Sequence, residues 1–353
     1  MSFDEAKRER IKTYLLEKVD VDDKYIVSKV ADAFGISLTS VKRYIDSLIS
    51  EGIIEVNKDT QCGYSIISLK KSSDFEFVKG KTLEDRIYSR EVAPIIDKLP
   101  DNVAHMWSYS ISEMLNNCIE HSKGDKGTIT IKQNYLYTDV YISDNGVGAF
   151  QTILDCIKEY DDEATYEDAY LELVKGKFTS DTTSHSGEGI FFTSRFCDKF
   201  YLSSNGVVYS REDDNETFFR DRLLAYMNAF KKIGTVVGMR IYNNSVKNTM
   251  DVFDSYSTVD DGIYKTEIPL VKFCDRGDPV ARSLAKRICY RLDSFSEVVM
   301  DFTGVSFMGQ GFADEMFRVY LTAHPDVHFS VINANENVIK MLRHVGYKDV
   351  PKI

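Results

Sequence analysis

Apolar positions near the start of the chain recur at helical spacing in three segments and then alternate in two. The predicted elements are helices at 4–18, at 26–34 and from Ser37 or Thr39 to about 51, then strands at 53–57 and 63–69. Ser37 or Thr39 supplies an N-terminal cap for the third helix. Gly35 and Gly52 follow the second and third helices, where glycine adopts the left-handed backbone that ends a helix. The pattern predicts a unit of three helices and a hairpin over residues 1–72.

Residues 80–245 mix helical and alternating patterns. The predicted elements are helices at 83–99 and 103–122 and strands at 127–134, 137–143, 200–204, 207–211 and 234–242. Residues 155–172 contain eight acidic side chains and one lysine. A charge run of this kind is typical of a solvated helical face, and we expect it to belong to a mobile lid at about 155–185. The segment is predicted to be an α+β domain.

From residue 256 to residue 353, strands and helices alternate. The predicted elements are strands at 298–302 and 327–332 and helices at 311–323 and 336–345. This alternation is typical of a small α/β domain. The sequence therefore predicts a multidomain α+β chain with three domains, at 1–72, 80–245 and 256–353.

Composition narrows the class of protein. At 353 residues and 43% hydrophobic content, the chain can form two or three domains with proper cores. Six scattered cysteines show no paired spacing, which predicts free thiols in a reducing compartment. The N-terminal residues are charged, so we expect no signal peptide, and no apolar run approaches the roughly 18 residues of a membrane span. We therefore expect a soluble cytoplasmic protein with no membrane contact. A net charge of −11 argues against a general nucleic-acid coat but permits one local DNA-binding face.

Glu113, Asn117 and His121 are spaced four residues apart on the predicted helix 103–122 and therefore share one face. Asn116 lies about 100° around the helix, outside this row. The amide oxygen of Asn117 suits Mg²⁺, which keeps water and phosphate oxygens as its other ligands. Glu113 is placed to deprotonate a water or hydroxyl that attacks a γ-phosphate, and His121 completes the row beside the nucleotide. A plain polar helix face is the alternative interpretation.

Asp144 ends a predicted strand and is followed by a turn that contains Gly146 and Gly148. A carboxylate here can accept a hydrogen bond from the exocyclic amine of adenine, which guanine lacks. The two glycines would let the backbone pass close to the base and the ribose. Thr235 opens the strand 234–242, where its hydroxyl could reach adenine through water. A tight Asp-Asn-Gly hairpin turn is the alternative interpretation.

Gly187 and Gly189, preceded by Ser186, lead into a short predicted helix. Backbone amides at the start of a helix form a cradle for phosphate groups. The hydroxyl-rich segment that begins at Thr179 can add hydrogen bonds, and Lys177 can add a cation from the lid. These residues therefore complete a candidate site for a nucleoside triphosphate.

In this order and at these spacings, the motifs resemble those of the GHKL ATPase superfamily: gyrase B subunits, mismatch-repair ATPases, histidine kinases and anti-sigma serine kinases. The resemblance covers roughly residues 83–243. It implies an α/β sandwich, with a mixed sheet and helices on one face, that binds ATP and Mg²⁺. The row of Glu113, Asn117 and His121 looks closest to anti-sigma kinases, while a glutamate at this place is also the hydrolytic base of gyrase-type enzymes.

The N-terminal unit resembles the winged helix-turn-helix family over about 65 residues. The resemblance makes the third helix a recognition helix. The residues that this helix would present to DNA are Thr39, Ser40, Lys42 and Arg43. Residues 1–70 hold 11 basic and 12 acidic side chains, so there is no strong electrostatic attraction to phosphates. DNA contact and a dimerisation or partner module are equal alternatives.

Residues 298–315 resemble a STAS-like domain, including the bacterial class often fused to such ATPases. In anti-sigma antagonists the turn after this strand carries a phosphorylatable serine. Here the turn reads Gly309, Gln310 and Gly311, and Ser306 lies on the strand side, so the acceptor position is absent. We expect a packing domain whose exposed turn contacts the lid, with a separate protein partner also possible.

The sequence thus predicts an ATP-switched regulatory protein that binds Mg·ATP and hydrolyses it slowly. One rival is a protein serine/threonine kinase of the anti-sigma type. Another is a DNA-bound transcription regulator in which ATP is only a ligand. A homodimer is compatible with all three interpretations.

Overall fold

The computed structural model describes residues 4–178, 187–211, 234–258, 262–274 and 277–351. Its N-terminal unit has the predicted helices and hairpin. The elements are α1 (Glu5–Asp20), α2 (Ile26–Phe34), α3 (Leu38–Ser50), β1 (Ile54–Val56) and β2 (Tyr64–Ile66). Ser37, and not Thr39, caps α3, because its hydroxyl accepts a hydrogen bond from the Ser40 amide. Gly35 has a φ of +61°, which confirms the left-handed end of α2.

A six-stranded sheet occupies the middle of the chain. Its strands are β3 (Leu69–Glu76), β4 (Lys126–Gln133), β5 (Tyr137–Asp144), β6 (Lys199–Ser204), β7 (Val207–Ser210) and β8 (Thr235–Tyr242). The strand order is β3-β4-β5-β8-β6-β7, and every described pairing is antiparallel. The expectation of a mixed sheet is therefore wrong here. β5 and β6 run parallel to each other, but β8 lies between them and is antiparallel to both.

Helices pack against this sheet around one core. They are α4 (Glu84–Ile87), α5 (Ala93–Ile96), α6 (Asp101–Asn116), α7 (Ala149–Lys158), α8 (Tyr166–Lys175), α9 (Gly189–Phe196) and α10 (Thr249–Tyr256), with π-helical turns at Tyr88–Val92 and Asn117–His121. The helix predicted at 83–99 runs without a gap from Glu84 to Ile96 and widens into the π-helical turn Tyr88–Val92 just before Pro94, which lacks a backbone amide to donate. Strand residues from one sheet face join this core in two rows: Ile131, Val140, Met239 and Phe200, and Ile129, Ile142, Val237 and Leu202.

The C-terminal region alternates strands and helices, as predicted. A short ribbon of β9 (Ser257–Thr258) and β10 (Gly262–Ile263) precedes it. The elements are β11 (Lys265–Pro269), α11 (Arg282–Cys289), β12 (Glu297–Asp301), α12 (Gln310–Asp314), α13 (Leu321–Ala323), β13 (His328–Ile332) and α14 (Glu336–His344), with 3-10 turns at Leu270–Phe273 and Leu292–Ser294 and a π-helical turn at Glu315–Tyr320. The three strands form a parallel sheet in the order β11-β12-β13.

The N-terminal unit is joined to the central sheet through the turn between β4 and β5. Leu136 from this turn and Tyr137, the first residue of β5, are buried in the core of the N-terminal helices. The Tyr137 hydroxyl donates to Asp20 at 2.7 Å, and the Tyr135 hydroxyl donates to Glu9 at 3.0 Å. Because β3 runs through residue 72, the chain passes from one unit into the sheet without a linker.

The acidic run at 155–172 lies on α7, α8 and the loop between them. Glu167 is exposed, as predicted for a solvated face. Glu172 is not: it is 5% exposed and accepts a hydrogen bond from the buried ammonium group of Lys175 at 2.7 Å. The prediction of a solvated face is therefore wrong for Glu172, because the C-terminal region covers this part of α8.

None of the helices in the described part of the chain has the length and apolar character needed to cross a membrane.

Candidate functional site

A cavity of about 270 Å³ opens between α6, α9 and the adjoining ends of β5 and β8. Seven residues singled out from the sequence line it together. They are Glu113, Asn117, His121, Asp144, Gly187, Gly189 and Thr235. These residues come from four separate parts of the chain, so the fold brings together the polar helix row, the strand-end aspartate and the second glycine pair.

The polar row lies where α6 changes into the π-helical turn Asn117–His121. This change widens the turn but keeps Glu113, Asn117 and His121 on the cavity side. Asn116, which helical spacing had placed outside the row, lines the cavity as well. π-helical insertions are frequent at functional sites, and here the insertion presents two neighbouring amide side chains to one cavity.

Asp144 lies at the end of β5 and is only 8% exposed. Its Oδ1 atom accepts a hydrogen bond from the Gly146 amide at 2.8 Å, and the backbone and hydroxyl of Thr235 also bond to it. Burial disfavours the charged carboxylate and outweighs these hydrogen bonds, so the pKa of Asp144 is raised to about 6. The Thr235 hydroxyl in turn accepts from the Ala149 amide at 2.9 Å.

Glu113 and Gly189 are in close contact across the cavity. A Cβ atom at Gly189 would lie 2.2 Å from Glu113 Oε2, so any larger residue would displace this carboxylate. The neighbouring Glu188 also lines the cavity, and its Oε1 atom accepts from the Ile263 amide at 3.2 Å. Three carboxylates, those of Glu113, Asp144 and Glu188, thus border the cavity, and its described lining includes no lysine or arginine.

Gly146 and Gly148 are not among the residues that line the cavity, and their approach to the base and the ribose stays a prediction. A Cβ atom at Gly146 would lie 2.0 Å from the Ser122 carbonyl oxygen, and one at Gly148 would lie 2.1 Å from Asn205 Oδ1. Gly148 also has a φ of +97°. The two glycines are therefore needed for close packing of the turn against its neighbours, which sequence spacing alone could not distinguish from contact with a ligand.

Lys177 does not line the cavity either. Its ammonium group donates to the Ser294 carbonyl oxygen at 2.8 Å and lies 5.0 Å from the centre of the Phe295 ring. The expected cation of the lid is thus directed to the C-terminal region in this structure. Thr179 and Ser186 lie outside the described residues.

Several lining residues were missed by sequence analysis, and one of them, Asn116, was considered but placed outside the polar row. Phe178, Leu173 and Ile153 form part of the apolar wall, and Asn116 and Glu188 are polar members. Asn116 is next to Asn117, and Glu188 lies between Gly187 and Gly189. Their position beside predicted site residues was therefore a signal that could have identified them. The apolar members carried no such signal, because an apolar residue on a helix indicates a core position.

The candidate DNA-binding residues lie on the outer side of α3. Thr39, Lys42 and Arg43 are exposed, whereas Ser40 is half-buried and bonds to Ser37 at the helix start. Exposure of a lysine and an arginine next to each other is compatible with contact to a polyanion. Ser40 is instead engaged in the cap.

The turn at Gly309–Gly311 packs within its own region. The Gly309 amide donates to the Pro279 carbonyl oxygen at 2.8 Å, and a Cβ atom at Gly309 would lie 2.6 Å from the Val280 carbonyl oxygen. In the described residues, the C-terminal region contacts α8 instead through Arg287, which donates to Asp168, and through the Tyr290 carbonyl oxygen, which accepts from Lys175. The expectation that this turn contacts the lid is therefore not met by the described residues.

Comparison with known families identifies one part of the chain. Residues 284–338 match the family model described as "STAS-like domain of unknown function (DUF4325)". The comparison with curated proteins found no match. The chain is therefore a mixed α/β multidomain protein with a helical N-terminal unit and a six-stranded sheet. Its C-terminal region contains a STAS-like domain, as the sequence resemblance predicted.

Proposed function

We propose that this chain is an ATP-dependent regulatory protein with a GHKL-type nucleotide site, in which Mg·ATP binding and slow hydrolysis control how the flanking modules dock. One observation carries the proposal: Asn117 and Asp144 line the same cavity, with Glu113, Gly187 and Gly189 around it. The sequence resemblance required this arrangement, and a fold that separated these residues would have excluded it.

The residues that line the cavity support two separate roles: recognition of the base, and binding of the phosphates with their metal ion. Asp144 is the adenine reader, because a buried carboxylate can accept a hydrogen bond from an exocyclic amine. Thr235 holds the carboxylate in place and adds a hydroxyl beside it. A cavity of about 270 Å³ is slightly below the roughly 300–1,000 Å³ of typical ligand sites. A nucleoside would therefore fill it, with the phosphates extending towards Gly187.

The part of the cavity lined by α6 and the π-helical turn that follows it suits metal-assisted phosphate chemistry. Asn117 offers an amide oxygen to Mg²⁺, and His121 and Asn116 lie beside it. Glu113 is the general base for the attacking water. Because Glu113 and Glu188 are both acidic, a triphosphate requires a divalent cation to enter this end, so we expect nucleotide affinity to depend on Mg²⁺.

Thin-layer analysis of γ-labelled ATP with the pure protein tests the proposal. The ATPase interpretation predicts release of free phosphate, which Glu113→Gln abolishes while ATP binding persists. Label on a partner protein would instead support the anti-sigma-type kinase. Calorimetric titration provides the binding arm: equal ATP affinity of the wild-type protein and Asp144→Ala would refute the adenine assignment.

A DNA-bound regulator with a winged helix is the second candidate function, and exposure of Lys42 and Arg43 on α3 favours it. Replacing both by alanine should weaken DNA binding and reduce its salt dependence. Electrophoretic mobility shift with random duplex DNA measures this, with Lys98→Ala, an exposed lysine outside the N-terminal unit, as a control. Unchanged binding by the double variant would make α3 a dimerisation or partner surface.

A further inference from the structure

Helix α8 contributes to the wall of the cavity and also contacts the STAS-like region. Leu173 on α8 and Phe178, three residues after its end, line the cavity. Asp168 and Glu172, also on α8, bond to arginines of the STAS-like region. A shift of α8 would therefore change the cavity and the interdomain contact together.

Three residues of the STAS-like region contact α8 and a fourth contacts Lys177 just after it, and we call the four the α8 clamp: Arg287, Tyr290, Arg291 and Ser294. Arg287 Nε donates to Asp168 Oδ1 at 2.7 Å, and a second guanidinium nitrogen of Arg287 donates to Glu167 at 3.3 Å. Arg291 lies 3.5 Å from Glu172. The acidic run of α8 is thus matched by basic side chains of the α8 clamp.

The C-terminal end of α8 is fixed by a buried charge. Lys175 is 1% exposed, and its ammonium group donates to Glu172 at 2.7 Å and to the Tyr290 carbonyl oxygen at 2.6 Å. Thr266 donates to the Lys175 carbonyl oxygen at 2.7 Å. Since a buried ammonium group needs these partners, the α8 clamp holds this end of the helix in one position.

The chain then turns sharply between the α8 clamp and the cavity. Gly176 and Lys177 have φ values of +80° and +57°. The left-handed conformation of Lys177 costs energy because this residue has a side chain. Residues in such conformations persist where the surrounding structure holds them in place. Here the Lys177 ammonium group donates to the Ser294 carbonyl oxygen at 2.8 Å, while Phe178, the residue after Lys177, lines the cavity.

We propose that the α8 clamp is an autoinhibitory contact that holds Lys177 away from the phosphates of a bound nucleotide. The inference rests on the proposed nucleotide site. Three carboxylates border the cavity and its described lining contributes no lysine or arginine, so a triphosphate gains from any cation that reaches it. Release of the α8 clamp frees Lys177 to supply that cation, and affinity for ATP rises while affinity for adenosine stays the same.

Arg287→Ala in the full chain is the principal test. For loss of a partly exposed ion pair we expect ATP to bind about threefold more tightly, and adenosine affinity to be unchanged. Arg282→Ala is the matched control: it lies on the same helix and pairs with Asp314 and Glu315 inside the STAS-like region. Calorimetry with ATP and with adenosine, in the presence of Mg²⁺, provides both values.

Lys177→Met tests whether a gain in ATP affinity comes from the ammonium group of Lys177 or only from greater mobility of α8. Alone it should change ATP affinity little, because Lys177 is held at Ser294. Combined with Arg287→Ala it should cancel the gain. Amide hydrogen exchange of the peptide 166–178, measured without nucleotide, should be faster in Arg287→Ala than in Arg282→Ala. Asp168→Asn breaks the same ion pair from the α8 side and replaces Arg287→Ala if that variant does not fold.

The outcomes separate the two proposals. If neither ATP nor adenosine binds the wild-type protein, the proposed nucleotide site fails. If wild type binds both but Arg287→Ala and Asp168→Asn match the Arg282→Ala control, or bind ATP more weakly, the autoinhibitory contact is overturned. A gain that persists in the double variant with Lys177→Met also overturns it.

Discussion

Protonation of Asp144 should control binding of the adenine base. Its pKa is raised to about 6 by burial, and the ionised carboxylate accepts the hydrogen bond from the exocyclic amine more strongly than the neutral acid, in which one oxygen has become a donor. Apparent affinity should therefore be constant above pH 7 and fall as pH decreases through 6. At pH 5 about one carboxyl in ten is ionised, so binding should be weaker than at pH 8 by at most about tenfold, or about 1.4 kcal/mol.

Adenosine is the suitable ligand for this measurement because it has no phosphates to titrate. Calorimetric titration at pH 5, 6, 7 and 8 gives the profile. Asp144→Asn is the matched control, since its amide oxygen can still accept from Gly146 but does not ionise. We expect this variant to bind weakly and with no pH dependence. A wild-type affinity that is the same at pH 5 and pH 8 would refute the role of Asp144 as adenine reader.

Ionisation of Asp144, which should favour adenosine binding, should lower the stability of the unliganded protein. A carboxyl whose pKa is raised in the folded state from 3.8 to about 6 binds its proton more tightly when folded. Its ionisation therefore lowers stability as pH rises from about 4 to about 6, by an upper limit of about 3 kcal/mol. Asp144→Asn should accordingly increase the melting temperature at pH 8, and thermal unfolding at pH 8 and pH 4 measures the difference.

Three further predictions follow from single contacts. Glu113→Gln should retain ATP and lose at least about a hundredfold in phosphate release, the usual contribution of a general base. Gly189→Ala should fold normally but also lose turnover, because the added methyl group displaces the flexible end of Glu113; a fully active variant would contradict this contact. Arg240→Met should destabilise the fold by about 3–5 kcal/mol because it leaves buried Asp139 without its 2.6 Å ion pair. Denaturant unfolding measures this loss, and a stability equal to wild type would show that Asp139 has been neutralised or hydrated.

The local parts of the fold were largely predictable from the sequence. The ends of α2 and α3 follow from Gly35 and Ser37, because caps act within a few residues of the chain. The polar row of Glu113, Asn117 and His121 was predictable for the same reason, since residues one turn apart share a helix face. The sequence resemblance of the C-terminal region to a STAS-like domain was confirmed by comparison.

Contacts between distant segments were decided by the tertiary structure. The insertion of β8 between β5 and β6 made the sheet antiparallel, and no local pattern records which strands become neighbours. Burial of Glu172 and the direction of Lys177 depend on a STAS-like region more than a hundred residues further along the chain. Sequence by itself therefore determined which polar side chains were candidates for one shared site, through spacing and side-chain chemistry. Only packing between remote elements decided that Gly146 and Gly148 support the turn and that Lys177 faces away from the cavity.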